Sequence, residues 1–258
     1  QLTKDASLLT WNRNIKLRKG ALSIGKNEIN NPERLYQKSN TLLDKAINII
    51  PLASQTFSKS HQQYAKGAAP LFVEKAEGAI LTDIDNNEYI DYVSALLPII
   101  LGYCDPDIDS KIISQLNKGI TFSLASELEY LLADKLVNLI PSAEMVRFGK
   151  NGSDATSAAI RIARGYTGRE MIAVAGYHGW HDWYIGSTTR DLGVPESVKN
   201  LTTKFSLDDL DKLKKQLKTN KYAAVIIEPY FDKENILDIL NDIRNITYST
   251  GTLLIFDE

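Results

Sequence analysis

Residues 171–183 read MIAVAGYHGWHDW, and they join an apolar run to a loop rich in aromatic, histidine and glycine residues. The first five residues are apolar without alternation, which is typical of a strand that is buried on both faces of a parallel sheet. Gly176 then marks the end of that strand. Open α/β sheets bind ligands beyond the carboxyl ends of their strands. The stretch therefore predicts a parallel sheet with a candidate binding loop at its edge.

Apolar runs and helical patterns alternate on both sides of this stretch. Strands are predicted at residues 145–148, 223–227 and 252–256. Helices are predicted at about 107–118, 127–140, 153–165, 207–218 and 233–247. This order favours an α/β fold with a mainly parallel sheet flanked by helices.

Before residue 105 the pattern changes from alternating helices and strands to one helix followed by short strands. A helical pattern at 35–50 ends at Pro51, and short strands at 71–74, 79–85 and 88–93 with turns between them predict an antiparallel meander. We therefore divide the chain into three parts. They are a leader or linker at 1–34, an N-terminal segment with the meander at 35–104, and a large α/β domain at 105–258.

Composition excludes several classes of protein. The formal net charge is -2, without the basic surplus expected of a nucleic-acid or membrane-surface protein. The one cysteine, Cys104, excludes an internal disulfide and a CxxC metal knuckle. No apolar run approaches the roughly 20 residues that cross a bilayer, so a cytoplasmic location is expected. Because the chain stops at Glu258 directly after an apolar strand, we expect it to be a fragment of a longer protein.

The segment GKNGSD, residues 149–154, lies between a predicted strand and a predicted helix. Gly152 permits a tight turn, and Asn151 or Ser153 can cap the helix. The free amides and the positive dipole end of the helix suit a phosphate. An ordinary strand–turn–helix junction explains the same residues. The segment is neither a Walker loop nor GxGxxG.

Polar and aromatic side chains follow the later strands too. The loop at 176–183 can stack an aromatic ring on a flat heterocycle, although a purely structural aromatic cluster remains open. A metal site at His178, His181 and Asp182 has no HExxH-like framework to support it. Glu228 and Asp257 each follow an apolar strand, where a buried carboxylate needs a partner such as a protonated ring nitrogen. A helix N-cap or a solvated loop start is the alternative for each.

Taken together, these residues resemble a known family. The similar segments are NGSDA (151–155), AIRIARGYTGR (159–169), GYHG (176–179), IEP (227–229), IFDE (255–258) and, upstream, DIDNNEYIDY (83–92) and LGY (101–103). They resemble glutamate-1-semialdehyde aminomutases and related class III aminotransferases, in order, over about residues 35 to 258. No segment alone is specific, but the set is.

The resemblance implies fold type I of the pyridoxal-phosphate enzymes, with pyridoxal 5'-phosphate as cofactor and a homodimer as the assembly. It implies that Gly152 and Ser153, beside Asn151, hold the phosphate. Tyr177 would stack on the pyridine ring with His178 beside it. It also implies that Asp257 pairs with the ring nitrogen and that Glu228 lies near the ring hydroxyl.

The resemblance places the lysine that forms the Schiff base beyond Glu258. We therefore assign no catalytic residue in this chain, and we expect the fragment alone to be inactive. Lys150 is interpreted as a surface or phosphate-proximal cation rather than as that lysine.

The sequence indicates the class of substrate less closely than it indicates the cofactor. Residues 94–98 contain leucine, whereas family members that act on glutamate semialdehyde often have tryptophan in the matching segment. The segment after Pro229 is also shorter than is usual in the family. Residues 150–156 and 177–183 look more like homologues of bacterial surface polysaccharide synthesis. We predict an aminotransferase or aminomutase that uses a small amino donor and a carbonyl acceptor. The alternatives are a truncated non-catalytic partner subunit and a nucleotide-sugar-binding α/β protein.

Overall fold

The computed structural model describes residues 15–18, 21–24, 36–65, 68–229 and 234–258. The first two ranges pair as an antiparallel hairpin of β1 (Ile15–Arg18) and β2 (Ala21–Ile24). The rest of the predicted leader or linker lies outside the described residues. The chain divides into two compact units, Gln1–Ala125 and Ser126–Glu258. The three-part division at 34 and 104 stays a prediction.

The first unit contains the predicted meander. After the hairpin its elements are α1 (Gln37–Ala46), β3 (Val73–Glu77), β4 (Ile80–Asp83), β5 (Glu88–Ile90) and α2 (Pro106–Leu116), with 3-10 turns at Pro51–Ala53, Phe57–Lys59 and His61–Gln63. Strands β3, β4 and β5 form one antiparallel sheet in that order, which confirms the meander.

A buried carboxylate fixes the turn between β4 and β5. Asp83 is fully buried and accepts hydrogen bonds from the amides of Asp85 and Asn87 and from the hydroxyl of Tyr89. Asp85 in turn accepts the amide and hydroxyl of Ser39 at the start of α1. These hydrogen bonds offset the cost of burying the polar turn against the helix.

The second unit contains the predicted parallel sheet. Its elements are α3 (Glu127–Leu139), α4 (Gly152–Thr167), β6 (Met171–Ala175), α5 (Asp182–Ile185), α6 (Glu196–Lys199), β7 (Thr202–Lys204), α7 (Leu210–Leu217), β8 (Tyr222–Ile227), α8 (Ile236–Thr250) and β9 (Leu253–Phe256). The strand order is β7-β6-β8-β9, and every pair is parallel. Among the described helices of the whole chain, none is both long and apolar enough to span a bilayer.

Helices cover both faces of this sheet, as the unbroken apolar runs predict. On one face, Ile172 and Val174 of β6 pack with Ile160 of α4. On the other, Val225 of β8 packs with residues of α7 and α8, such as Leu213. All six residues of β8 are buried, so this strand lies at the centre of the core. The two-sided core holds the carboxyl ends of the strands in a fixed relation.

Two parts of the sheet differ from the sequence-based prediction. The strand predicted at residues 145–148 is wrong, because no described strand pairs with this segment; its Met145 is 91% exposed. Strand β7 was not predicted, because its sequence, Thr-Thr-Lys, contains no apolar run. It forms by backbone hydrogen bonding to β6, which periodicity of side chains does not report.

Candidate functional site

The carboxyl ends of β6, β8 and β9 lie side by side at one edge of the sheet. The amide of Glu228 donates to the carbonyl of Ala175 at 3.2 Å, and the amide of Asp257 donates to the carbonyl of Ile227 at 2.9 Å. The backbone hydrogen-bond ladder thus continues one residue past the end of β8 and one residue past the end of β9. It brings Glu228, Asp257 and the loop that follows β6 together, as the strand ends in the sequence predict.

His178 and Asp257 form a partly buried contact at this edge. Nδ1 of His178 lies 2.9 Å from Oδ2 of Asp257, and Nε2 lies 3.2 Å from the carbonyl oxygen of Ala175. The side chain of His178 has no exposed surface, whereas that of Asp257 is 27% exposed. Since a carbonyl only accepts, Nε2 carries a proton. Nε2 is therefore the donor in its contact, and the imidazole ring joins the end of β6 to Asp257.

Glu228 holds the first turn of the loop after β6. Its Oε2 accepts the amide of Tyr177 at 2.7 Å. Gly176 has a φ of 107°, and a Cβ at this position would lie 2.5 Å from the same carboxylate oxygen. Only glycine therefore allows so close an approach of the backbone to Glu228.

Tyr184 holds the same turn from the other side. Its hydroxyl donates to the carbonyl of Gly176 at 2.8 Å. Burial, followed by the nearby negative charge of Glu228, raises the pKa of Tyr184. The phenol therefore stays a hydrogen-bond donor at neutral pH. Tyr184 is absent from the residues that the sequence singled out.

The ring of Tyr177 is available to a ligand. It is 60% exposed, and it makes an edge-to-face contact with Tyr184 of α5, at 5.7 Å between ring centroids. Its amide is fixed by Glu228. An aromatic ring with a fixed backbone and an open surface suits stacking on a flat heterocycle.

The N-terminus of α4 is the second part of the site. Asn151 caps the helix, and its Oδ1 accepts the amide of Asp154 at 3.0 Å. The amides of Gly152 and Ser153 precede that bond, where no helical carbonyl exists to accept them. A Cβ at Gly152 would meet no atom within 4 Å, so the space beside the turn is open. This arrangement suits an anion.

Hydroxyl groups of α4 join the two parts of the site. The hydroxyl of Thr156 donates to the carbonyl of His178 at 3.2 Å, and the amide of Trp180 lies 3.4 Å from Oγ of Ser153. Gly179, with a φ of 97°, lies so close to Ser153 that a side chain there would collide with the serine hydroxyl. The loop and the helix end are thus in direct contact.

Ser157 makes the next contact along the helix. Its Oγ accepts the indole N–H of Trp183 at 3.0 Å and lies 2.8 Å from Nδ1 of His181. Because the indole can only donate, the serine proton is available to His181. Thr156 and Ser157 are absent from the candidate site residues that the sequence indicates. The signal that identifies them is three hydroxyl residues at positions i, i+3 and i+4 on one helix face, namely 153, 156 and 157.

The structure does not bring His178, His181 and Asp182 together as metal ligands. His178 bonds Asp257 and a carbonyl, while His181 bonds Ser157. Within the described ranges, no group of three or more His, Cys, Asp or Glu side chains could hold a metal ion. Lys150 is exposed at the turn before α4, as predicted.

Comparisons with known proteins identify relatives of this chain. The 3-aminobutyryl-CoA aminotransferase of Cloacimonas acidaminovorans is 38% identical over 231 residues, which are 86% of this chain and 55% of that protein. The glutamate-1-semialdehyde 2,1-aminomutase of Sulfurisphaera tokodaii is 41% identical over 204 residues, or 73% of this chain and 49% of that protein. The chain thus spans about half the length of the curated relatives it matches.

A solved structure of the FumI protein from Sphingopyxis sp. MTA144, in a form containing PLP, superposes with a TM-score of 0.77 at 30% identity. The match covers 85% of this chain and 54% of that one. It confirms the predicted α/β fold of the pyridoxal-phosphate transferases. The family model described as aminotransferase class-III matches residues 62–258. The chain therefore belongs to the class-III aminotransferase family.

Proposed function

We propose that the protein binds pyridoxal 5'-phosphate at the carboxyl edge of the parallel sheet and acts in the transfer or internal shift of an amino group. The observation that carries the proposal is the contact of Asp257 with the fully buried His178, 2.9 Å apart. The carboxylate keeps 27% of its side-chain surface exposed, and therefore accepts a second partner. A protonated pyridine nitrogen is such a partner.

The residues present fit this cofactor at both of its ends. Gly152 and Ser153 offer unpaired helix amides beside open space, which suits the phosphate. The exposed ring of Tyr177 suits the face of the pyridine. Asn151 caps the helix rather than pointing its oxygen at a ligand. Glu228 acts through the amide of Tyr177, and His178 acts through Asp257.

When bound, pyridoxal phosphate supplies an electron-withdrawing ring that stabilises the negative charge left on a substrate carbon after proton loss. Asp257 would keep the ring nitrogen protonated by its charge. His178 would hold Asp257 in its orientation. Tyr177 would cover one face and exclude water from it. Tyr184 and Glu228 would keep the loop in place.

A binding titration with a matched variant tests the cofactor assignment. The purified protein is titrated with pyridoxal 5'-phosphate while tryptophan fluorescence and the melting temperature are followed. We expect saturable quenching and a rise in Tm, since a ligand that binds the folded state stabilises it. Both effects should weaken at least tenfold in apparent Kd for Asp257→Ala and stay unchanged for Asp242→Ala, an exposed carboxylate on α8. Equal binding by both variants would contradict the assignment.

Amino-group chemistry needs its own measurement. The relatives are named for an aminotransferase acting on 3-aminobutyryl-CoA and an aminomutase acting on glutamate-1-semialdehyde. We extend to this chain the amino-group chemistry that these names share. Release of a keto product from an amino donor, or isomerisation of an amino aldehyde, would support it. Because the lysine that forms the Schiff base is expected beyond Glu258, both reactions are assayed with the full-length protein. Cofactor binding there without either reaction would instead favour the non-catalytic partner subunit.

The finer expectations stay predictions. They are a homodimer, a cytoplasmic location, a small aldehyde, ketone or amino-acid-like substrate, and a role in surface polysaccharide synthesis. Residues 150–156 and 177–183 are the sequence feature behind the last of these, and the leucine in residues 94–98, where relatives acting on glutamate semialdehyde are expected to have tryptophan, counts against that substrate. A screen of sugar-derived and amino-acid-derived carbonyl acceptors would distinguish the two substrate classes.

A further inference from the structure

We propose that Thr156 and Ser157 are positioning residues that set the distance between the phosphate subsite and the ring subsite, an inference that rests on the proposed function. Both lie on α4, one turn after the amides of Gly152 and Ser153. Both bond to the loop that carries Tyr177 and His178. Neither is among the residues expected to touch the cofactor.

The two subsites belong to different elements. The phosphate subsite is the first turn of α4, whereas the ring subsite consists of Tyr177 in the loop after β6 and Asp257 at the end of β9. A ligand that carries a phosphate and a ring on one rigid frame needs both subsites at a fixed separation. The spacing therefore depends on whatever joins the helix to the loop.

The side chains of Thr156 and Ser157 form hydrogen bonds that connect α4 to the loop after β6. The hydroxyl of Thr156 lies 3.2 Å from the carbonyl of His178 and 3.2 Å from the carbonyl of Ser153, so its proton is shared between the loop and the helix. The imidazole ring of His178 contacts Asp257. Thr156 is 6% exposed and His178 is 1% exposed, so water does not compete for this bond. The contact therefore runs from the helix that offers the phosphate amides to the carboxylate that would meet the ring nitrogen.

Ser157 adds a second, independent attachment. Its Oγ accepts the indole N–H of Trp183 at 3.0 Å and lies 2.8 Å from Nδ1 of His181. Trp183 is 9% exposed and belongs to the core on the face of the sheet that α4 covers. The far end of the loop is thus held to the same helix face as its near end, and the loop cannot slide along α4.

The affinity of a two-part ligand exceeds that of its parts when their binding sites are correctly spaced. Loosening the spacing reduces that gain, but each part alone still finds its own subsite. The proposal therefore predicts a selective effect. Loss of both hydroxyls should weaken the joined ligand and leave the separate phosphate and the separate ring nearly unaffected.

The experiment compares three ligands that cannot react with lysine: pyridoxine 5'-phosphate, pyridoxine and inorganic phosphate. Fluorescence quenching gives Kd for the first two, and displacement of the first gives Kd for phosphate. For the double variant Thr156→Val, Ser157→Ala, we expect Kd of pyridoxine 5'-phosphate to rise roughly tenfold or more. Kd of pyridoxine and of phosphate should each change less than about twofold.

Two variants serve as controls. Thr167→Val removes a hydroxyl from the other end of α4, where it bonds the carbonyl of Ala163, and should leave all three affinities unchanged. Thr156→Ser keeps the hydroxyl and should retain the affinity of the parent protein. If the double variant does not fold, Thr156→Val alone, compared with Thr156→Ser, tests the bond to the His178 carbonyl: a Kd of pyridoxine 5'-phosphate that is equal in the two variants would overturn the role of Thr156.

Two results would overturn the positioning role. One is an unchanged Kd of pyridoxine 5'-phosphate in the double variant, and the other is an equal loss of affinity for all three ligands, which indicates general damage to the site. A parent protein that binds pyridoxine 5'-phosphate no more tightly than pyridoxine would refute the proposed function itself. The two failures are therefore distinguishable.

Discussion

The side chains of His178 and Asp257 are in contact, with 2.9 Å between Nδ1 and Oδ2, although 79 residues separate them along the chain. The second ring nitrogen of His178 donates to the carbonyl of Ala175. The histidine therefore joins the end of β6 to the end of β9 through one buried ring. It fixes the carboxylate that the proposed function places at the pyridine nitrogen.

Replacing His178 with phenylalanine should destabilise the protein, because it keeps the volume of the ring but removes both hydrogen bonds. We expect the free energy of unfolding to fall by about 2 kcal/mol, since the partly buried carboxylate of Asp257 loses its bond to the ring and the carbonyl of Ala175 keeps the amide of Glu228 but loses its second donor. Urea unfolding at neutral pH measures the change. The affinity for pyridoxine 5'-phosphate should fall too, because Asp257 is no longer oriented.

His61→Phe is the matched control for that variant. His61 makes one hydrogen bond, from Nδ1 to the carbonyl of Leu52 at 3.2 Å, in a 3-10 turn of the first unit. We expect its replacement to cost less than about 1 kcal/mol and to leave ligand affinity unchanged. Equal losses of stability in the two variants would contradict a special role of the buried pair.

Tyr184 gives the stability a pH dependence of known sign. Because its pKa in the folded protein is raised above the ordinary tyrosine value, its contribution is fully present below about pH 10 and is lost as the pH rises through the folded-state value. At pH 8, Tyr184→Phe should cost about 1 kcal/mol, the value of its bond to the carbonyl of Gly176. At higher pH the difference should shrink.

Unfolding in urea at pH 8 and at strongly alkaline pH measures this trend. Tyr248→Phe is the control, since that ring is 75% exposed and its face lies under the guanidinium of Arg244. The control should change stability little at either pH. A stability difference between the parent protein and Tyr184→Phe that does not vary with pH would count against the raised pKa.

Glu228→Gln separates the charge of this carboxylate from its hydrogen bond. A glutamine oxygen still accepts the amide of Tyr177, so the loop should keep its conformation. The negative charge that helps to raise the pKa of Tyr184 is removed. We therefore expect the pKa of Tyr184 to fall toward the ordinary value. An ultraviolet difference titration against Tyr184→Phe in the same background detects the shift, and an unchanged titration would show that burial alone sets it.

The parallel sheet and the residues at its edge were predictable, because their signals are local. An unbroken apolar run such as Tyr222–Ile227 indicates a strand covered on both faces, and the polar residue after each run must lie at the carboxyl edge. The grouping of Asp257 with Glu228 follows from these two rules. It needs no knowledge of how the side chains pack.

The contacts between these residues were not predictable, because they depend on tertiary packing. Nothing in the spacing of His178 and Asp257 indicates a pair, and the hydroxyl of Thr156 meets the His178 carbonyl only after α4 packs on the sheet. The segment at 145–148 shows the opposite case, in which a local pattern predicts a strand that the structure does not contain. A strand exists only where a neighbour pairs with it, whatever its own propensity.

Two glycines of the second unit should respond to alanine in opposite directions. Gly179 has a φ of 97°, and an added Cβ would collide with Oγ of Ser153. Gly165 lies inside α4, is exposed, and has no atom within 4 Å of the position of a Cβ. Gly179→Ala should therefore lower the free energy of unfolding by roughly 1–3 kcal/mol through backbone strain, with the collision adding to that loss. Gly165→Ala should raise it by roughly 0.5–1 kcal/mol through its effect on the helix.

Urea unfolding tests both signs, and phosphate binding tests the site, because displacement of Ser153 should weaken phosphate binding in Gly179→Ala alone. If Gly179→Ala were as stable as the parent protein and bound phosphate as tightly, the close approach of the loop to α4 would not be needed for the site.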